Sequence, residues 1–249
     1  MTGPGGLQVR RREPELMDQP GLNEQEHRAA LRGLARANLV SRTAAQLWRP
    51  IRALAREAAA GSKPGVRNPA APKLSVLDIA TGAGDVPVRL GRMARRAGIA
   101  LELHACDCSR RAIAAGCQAA ARAGVAVEFF PLDVLRELLP GRYDVVISSL
   151  FLHHLDGADA VRLLRKMADA ADRLVLVSDL QRGAYGLLTA WLGTRMLTRS
   201  RVVQIDGERS VRAAFTLSEA RALAAQAGLA GATLRRSWPA RFLLEWRRT

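Results

Sequence analysis

The chain has 249 residues, 49% of them hydrophobic, and a formal net charge of +15. That length suits one large α/β domain with additions or two small domains, and the apolar share supports a packed core. No apolar run reaches membrane-spanning length, and the arginine cluster near the N-terminus is not followed by the apolar stretch of a secretory signal.

The charge invites a nucleic-acid reading. Yet of the 38 basic residues only Lys63, Lys73 and Lys166 are lysine, and aromatics make up 4%. The arginines are scattered rather than interleaved with aromatics, so a solvated basic surface accounts for them better than a nucleic-acid groove. Cys106, Cys108 and Cys117 crowd one short segment with neither a disulfide framework nor zinc spacing. Free thiols fit a reducing compartment, and a cytoplasmic location is expected.

Residues 1–12 read as a disordered tail. Residues 13–60 read as an N-terminal helical cap, with Leu31, Leu34 and Leu47 recurring among alanines and arginines and Pro50 interrupting the pattern. Gly, Pro and Ser mark 61–73 as a linker. From Leu74 strands and helices alternate. "LSVLDIA" is a continuous apolar run, as in a strand buried on both faces. The helix "VPVRLGRMARRAG" ends at Gly98, and "LELHACD" is a second strand. Ser109 caps a helix that stops at Gly124. "VAVEFFPLD", "YDVVISSL" and "DRLVLVSDL" supply three more strands, with a helix between the last two. Parallel strands need crossover helices, so this rhythm predicts a Rossmann-like, doubly wound α/β sheet. Residues 181–215 break the rhythm. They read as an amphipathic insertion followed by a loop or short hairpin. A helix with a capping box from Thr216 to Glu219 comes next. Two strands joined by a tight turn end the chain, which makes the last strand antiparallel.

The stretch "VLDIATGAGDVPVRL" is strand, glycine turn and helix. Gly82 and Gly84 let backbone approach a ligand. A dinucleotide fingerprint would place its third small residue at Pro87. Asp85 is the stronger objection, because an acid at the helix N-terminus repels a pyrophosphate there. A ligand with an ammonium and a sulfonium, and no phosphate, fits better, and S-adenosylmethionine is such a ligand. With these residues in view, 74–249 resembles the class I S-adenosylmethionine-dependent methyltransferases of the small-molecule, ubiquinone/menaquinone and natural-product groups. The resemblance implies a seven-stranded sheet with an antiparallel last strand. One departure is Ala80, where the family usually has glycine. The resemblance places Asp78, Ala80, Thr81, Gly82 and Gly84 around the cofactor. It makes Asp107 the acceptor for the ribose hydroxyls, in line with a carboxylate about 20 residues past a glycine turn. Asp133 would stand near the adenine amino group, with Cys108, Val134 and Ser149 completing the cofactor site.

The fourth strand runs into "SSLFLHHLDGADA". It lacks the Asn/Asp-Pro-Pro-aromatic motif of nucleic-acid amino methyltransferases, and no cysteine stands near the fourth or fifth strand to attack a pyrimidine. The adjacent His153 and His154 are expected to point apart, with His154 towards the acceptor. The resemblance implies that a histidine here and Asp179 after the fifth strand assist proton removal, and imidazole suits that task near neutral pH. The expected acceptor is a small phenolic or polyketide-type hydroxyl. C-methylation of a quinone-like ring and RNA methylation are the alternatives. Leu188, Trp191 and Met196 in 181–215 could form an apolar lid, and Arg209 or Arg212 could meet an anionic substrate. His27 reads as a surface residue. No metal-binding set is recognisable, so a metal-independent reaction is expected.

Overall fold

The computed structural model describes residues 4–16, 42–60 and 73–248. Leu31, Leu34, His27 and most of the expected linker lie outside the described residues. The first helix, α1, spans Thr43–Ala60 and runs straight through Pro50. A proline inside a helix costs on the order of 3 kcal/mol through one lost hydrogen bond and a clash. Leu47, Trp48, Ile51 and Leu54 are buried on one stripe of α1. Each such burial contributes roughly 1.5–3 kcal/mol, so the stripe outweighs the proline. The expected interruption at Pro50 is therefore absent.

The sheet has seven strands: β1 (Leu74–Ile79), β2 (Leu101–Asp107), β3 (Glu128–Pro131), β4 (Tyr143–Ser149), β5 (Ala171–Leu180), β6 (Thr233–Ser237) and β7 (Arg241–Arg247). Their order is β3-β2-β1-β4-β5-β7-β6. β3 to β5 pair in parallel, β7 is antiparallel to β5, and β6 is antiparallel to β7. The doubly wound sheet with a reversed final strand matches the sequence expectation. Alternate residues face opposite sides of the sheet. Val145, Ile147, Leu174 and Leu176 pack with α1 and with α2 (Asp85–Arg96). Val146, Val175 and Val177 pack on the other side with α4 (Gly157–Ala170) and α7 (Leu217–Gln226). α3 (Arg110–Ala123) takes its cap from Ser109, whose side chain accepts the Ala112 N–H, and stops at Gly124 in the left-handed region. The Thr216–Glu219 capping box opens α7 as expected.

Two regions differ from expectation. The segment after β5 forms two helices, α5 (Ala184–Leu197) and α6 (Arg201–Ala213), where 201–215 reads as a loop or hairpin. Gly207 looks like a turn residue in sequence. It lies inside α6, where a Cβ would come within 2.8 Å of the Thr194 methyl, so glycine here permits close helix packing. The second region is the N-terminus. Residues 4–12 are docked rather than a free tail. The Arg10 guanidinium donates to the carbonyls of His153 (2.8 Å) and Leu155 (2.6 Å) and stacks 3.7 Å over the Phe215 ring. Arg182, buried and paired with both oxygens of Glu219, also donates to the Leu7 carbonyl. Glu13–Glu15 belong to no helix or strand, so the expected helical pattern does not begin at Glu13.

Candidate functional site

The carboxyl ends of β1, β2, β4 and β5 share one edge of the sheet, and chain order reverses between β1 and β4. Ligands of open α/β sheets bind at such an edge. At the end of β1, Asp78 is almost wholly buried. One of its oxygens accepts the Thr81 hydroxyl at 2.7 Å, and the other is buried without a partner. Burial, aided by the charge of Asp107, raises the Asp78 carboxyl to about 7 against the pull of the Thr81 hydroxyl. Asp107 ends β2. Its two oxygens accept the N–H groups of Gly82 and Ser109, each at 2.9 Å. Two lone-pair positions remain on that carboxylate for a ligand.

The two glycines of the turn differ. Gly82 has φ +57° and faces open space, so backbone is bared there. Gly84, at φ +73°, leaves no such room: a Cβ would lie 2.7 Å from the Phe129 ring. Gly84 serves packing and the start of α2 rather than ligand approach. Ala80 holds φ +54°, a left-handed conformation that glycine adopts without strain. Asp133 accepts the Leu135 N–H at 3.0 Å and lies 3.5 Å from Arg136, which makes it a turn-forming residue at the end of β3. Val134 is buried, Cys108 is exposed, and Ser149 closes β4 opposite Ser178.

The second half of the site is assembled from distant pieces. β4 leads into a single 3-10 turn, Leu152–His154. His153 Nδ1 lies 2.6 Å from an Asp179 carboxylate oxygen, and the His153 backbone N–H donates to the other at 3.2 Å. The rings of His153 and His154 do not point apart. Their centroids are 4.2 Å apart, and their Nε2 atoms lie 3.8 and 3.9 Å from one oxygen of Glu15. Both imidazoles turn towards that carboxylate. Ser210 donates its hydroxyl to the same oxygen.

Burial disfavours a charge on His153, but Asp179 and then Glu15 outweigh it and raise the imidazole to about 9. His154 moves the other way: burial and the charge on His153 hold it below the ordinary imidazole value. Burial alone would raise both carboxyls. Contact with His153 instead keeps Asp179 and Glu15 ionised. One imidazole is thus charged and its neighbour neutral at pH 7.

A cleft of about 330 Å³ opens over this cluster, lined by Arg12, Glu13, Glu15, His153, His154, Arg209 and Ser210 among others. Arg209 pairs with Glu13 at 3.2 Å and donates to the Pro14 carbonyl, so it clamps the N-terminal segment. The Arg212 carbonyl accepts the Arg11 N–H. Leu188, Trp191 and Met196 on α5 are exposed, not packed on the sheet. Glu15, Arg12 and Ser210 escape sequence reasoning. Nothing local distinguishes Glu15 from the other acids of the N-terminal segment, because its partners lie beyond the fourth strand.

Residues 76–172 match the family model described as a methyltransferase domain. Residues 76–172 carry a methyltransferase domain. S-adenosylmethionine is the methyl donor that this domain implies. No curated protein matches the chain at the sequence level. Solved structures share its fold at low identity. Magnesium protoporphyrin IX methyltransferase from Synechocystis PCC 6803, with bound SAH, is 18% identical with a TM-score of 0.57, over 94% of this chain and 91% of that one. A putative O-methyltransferase from Nostoc punctiforme PCC 73102 is 18% identical with a TM-score of 0.62, over 95% of this chain and 63% of that one. An O-methyltransferase family 2 protein from Planctomyces limnophilus DSM 3776, in complex with apigenin, is 16% identical with a TM-score of 0.61, over 93% and 63%. This methyltransferase domain thus spans under two thirds of the last two chains. Its residues fit the donor: an unpartnered carboxylate oxygen on Asp78 and a bared turn at Gly82 suit a cationic ligand better than a phosphate. Among the described residues no helix is long and apolar enough to cross a membrane.

Proposed function

We propose that this protein O-methylates a phenolic or polyketide-type hydroxyl of a small molecule, with His154 taking the hydroxyl proton. The observation that carries the reading is the placement of His154. It stands in the cleft at the strand-end edge with the Glu15 carboxylate 3.9 Å from Nε2, and burial with the charge on His153 holds its imidazole below the ordinary value. Bound S-adenosylmethionine supplies a methyl group on a positively charged sulfur. Asp78 and Gly82 bind the amino-acid end of the donor and Asp107 its ribose, with Ala80, Thr81, Cys108, Asp133, Val134 and Ser149 around it. The donor would supply the methyl group to the acceptor oxygen, and His154 Nε2 would take the proton that the hydroxyl gives up. Glu15 stabilises the imidazolium so formed. His153 is already charged, held by Asp179 on one ring nitrogen and facing Glu15 with the other, so it orients the turn rather than accepting a proton. Direct displacement needs alignment above all, and the docked N-terminal segment shapes the cleft for it.

The test is turnover with a panel of phenols, with the position of the new methyl read by mass fragmentation. Oxygen methylation is expected, and His154→Ala should lower kcat about 10²- to 10³-fold, the usual scale for a lost general base. Adenosylhomocysteine affinity should not change. A retained rate in the variant, or a methyl found on carbon, overturns the reading.

A further inference from the structure

Glu15, His153 and His154 form a cluster whose chemistry goes beyond proton transfer. Each offers one ligand atom, and these atoms lie within 4.8 Å of one another. The Glu15 oxygen is 3.8 Å from one imidazole Nε2 and 3.9 Å from the other. In a tetrahedral zinc site, bonds of about 2.0–2.2 Å put neighbouring ligand atoms roughly 3.4 Å apart. The carboxylate contacts therefore need to close by only about half an ångström. The Asp179 carboxylate holds His153 Nδ1 at 2.6 Å and leaves Nε2 facing Glu15. A carboxylate on the far nitrogen of a ligating histidine is how protein metal sites fix ring orientation and raise ligand basicity.

We propose that Glu15, His153 and His154 bind a divalent transition metal ion in the acceptor cleft, with Asp179 orienting His153 and the remaining position open to the cleft. Two imidazoles and one carboxylate suit zinc or cobalt, whereas magnesium asks for oxygen ligands. Glu15 and Asp179 bring two carboxylates to the site, one facing both imidazoles and one on the far nitrogen of His153. Arg12 lines the same cleft and opposes the ion, but Arg209 is already paired with Glu13. The site departs from the metal-free expectation because Glu15 comes from a segment far from the histidines in sequence. The inference rests on geometry and not on methyl transfer. An ion there would occupy the nitrogen assigned to the proton, so metal-loaded protein should turn over more slowly.

The experiment is equilibrium dialysis of the full chain against Co²⁺, with visible absorption of the bound ion and displacement by Zn²⁺. One Co²⁺ per chain is expected, with a nitrogen/oxygen spectrum free of thiolate charge-transfer bands. Glu15→Gln and His154→Gln, each checked for fold by circular dichroism, should weaken binding at least tenfold. No binding by the native chain overturns the proposal. So does binding that both variants retain, or a thiolate spectrum that assigns the ion to the cysteines. Because turnover is not the readout, the site can fail while the acceptor reading stands, and the reverse.

Discussion

The two halves of the cleft are built by opposite means. The donor half is local. Asp78, Thr81 and Gly82 are nearly consecutive, and Asp107 reaches them because β2 pairs beside β1, with Ile79 in register with Cys106. The acceptor half is assembled at long range: Glu15 from the N-terminus, the histidines after β4, Asp179 at the end of β5 and Ser210 from α6. In the proposed reading a rigid strand end holds the donor and docked segments select the acceptor, and loops and added segments are where such folds vary.

The sharpest way to break this contrast is to remove a buried residue that ties the acceptor half to the sheet. Asp179 is buried, pairs with His153 and also accepts the Leu180 N–H at 2.6 Å. Asp179→Ala leaves a charged imidazole buried beside a void, which costs about 3–5 kcal/mol. A fall in melting temperature on the order of 10 °C is expected by scanning calorimetry. A melting point within a degree or two of the native value would mean that the pair carries no structural weight. On the donor side, Asp107→Ala should leave the fold nearly intact but weaken adenosylhomocysteine about 100-fold by calorimetry, because charged hydrogen bonds contribute about 1.5–3 kcal/mol each. If the two variants exchanged these effects, the division of labour would be wrong.

The same contrast explains what was legible in the sequence. The doubly wound sheet, the reversed last strand and the caps at Ser109 and Thr216 follow from periodicity and from residues a few positions apart. The nearness of Asp78, Thr81 and Gly82 is likewise local in the sequence. Asp179 pairs with His153, not with His154, the histidine expected to face the acceptor. Nor do the two rings point apart, since they converge on Glu15. No periodic signal connects residue 15 with residue 153; a tertiary contact decides it. The reading of 201–215 as a loop or hairpin misses α6, in which Gly207 allows close packing and Asp206 is buried. Pro50 was misleading because burial of the α1 stripe outweighs a local preference.

A subtler probe separates the halves by pH. The Asp78 carboxyl titrates at about 7 in the folded chain and near 3.9 when unfolded. Its folded value is raised, so the folded state keeps a proton that the unfolded state releases. Its contribution to stability therefore declines as pH rises from about 4 to about 7. A bound ammonium reverses the preference by favouring the carboxylate. Adenosylhomocysteine should bind roughly eightfold tighter at about pH 7.5 than at about pH 6, releasing a proton. Calorimetry in buffers of different ionisation enthalpy measures both quantities. Asp78→Asn should flatten the profile, and a flat native profile would place the ammonium elsewhere.

The smallest expected effect tests the turn itself. Ala80 sits at φ +54° between the β1 strand and Thr81. A left-handed conformation costs a residue with a Cβ roughly 1–2 kcal/mol relative to one without. Glycine gives back part of that by gaining freedom in the unfolded chain, an offset of about 0.4–1 kcal/mol. Ala80→Gly should therefore stabilise the protein by about 0.5–1 kcal/mol in urea titration, with cofactor affinity unchanged. Destabilisation of that size would mean that the alanine methyl group, which packs against the main core, contributes more than its backbone strain costs. Either sign should leave the acceptor half untouched, since among the described residues no hydrogen bond joins Glu15, His153, His154 or Asp179 to the turn. A change in turnover without a change in donor affinity would show that the two halves communicate through the end of β1.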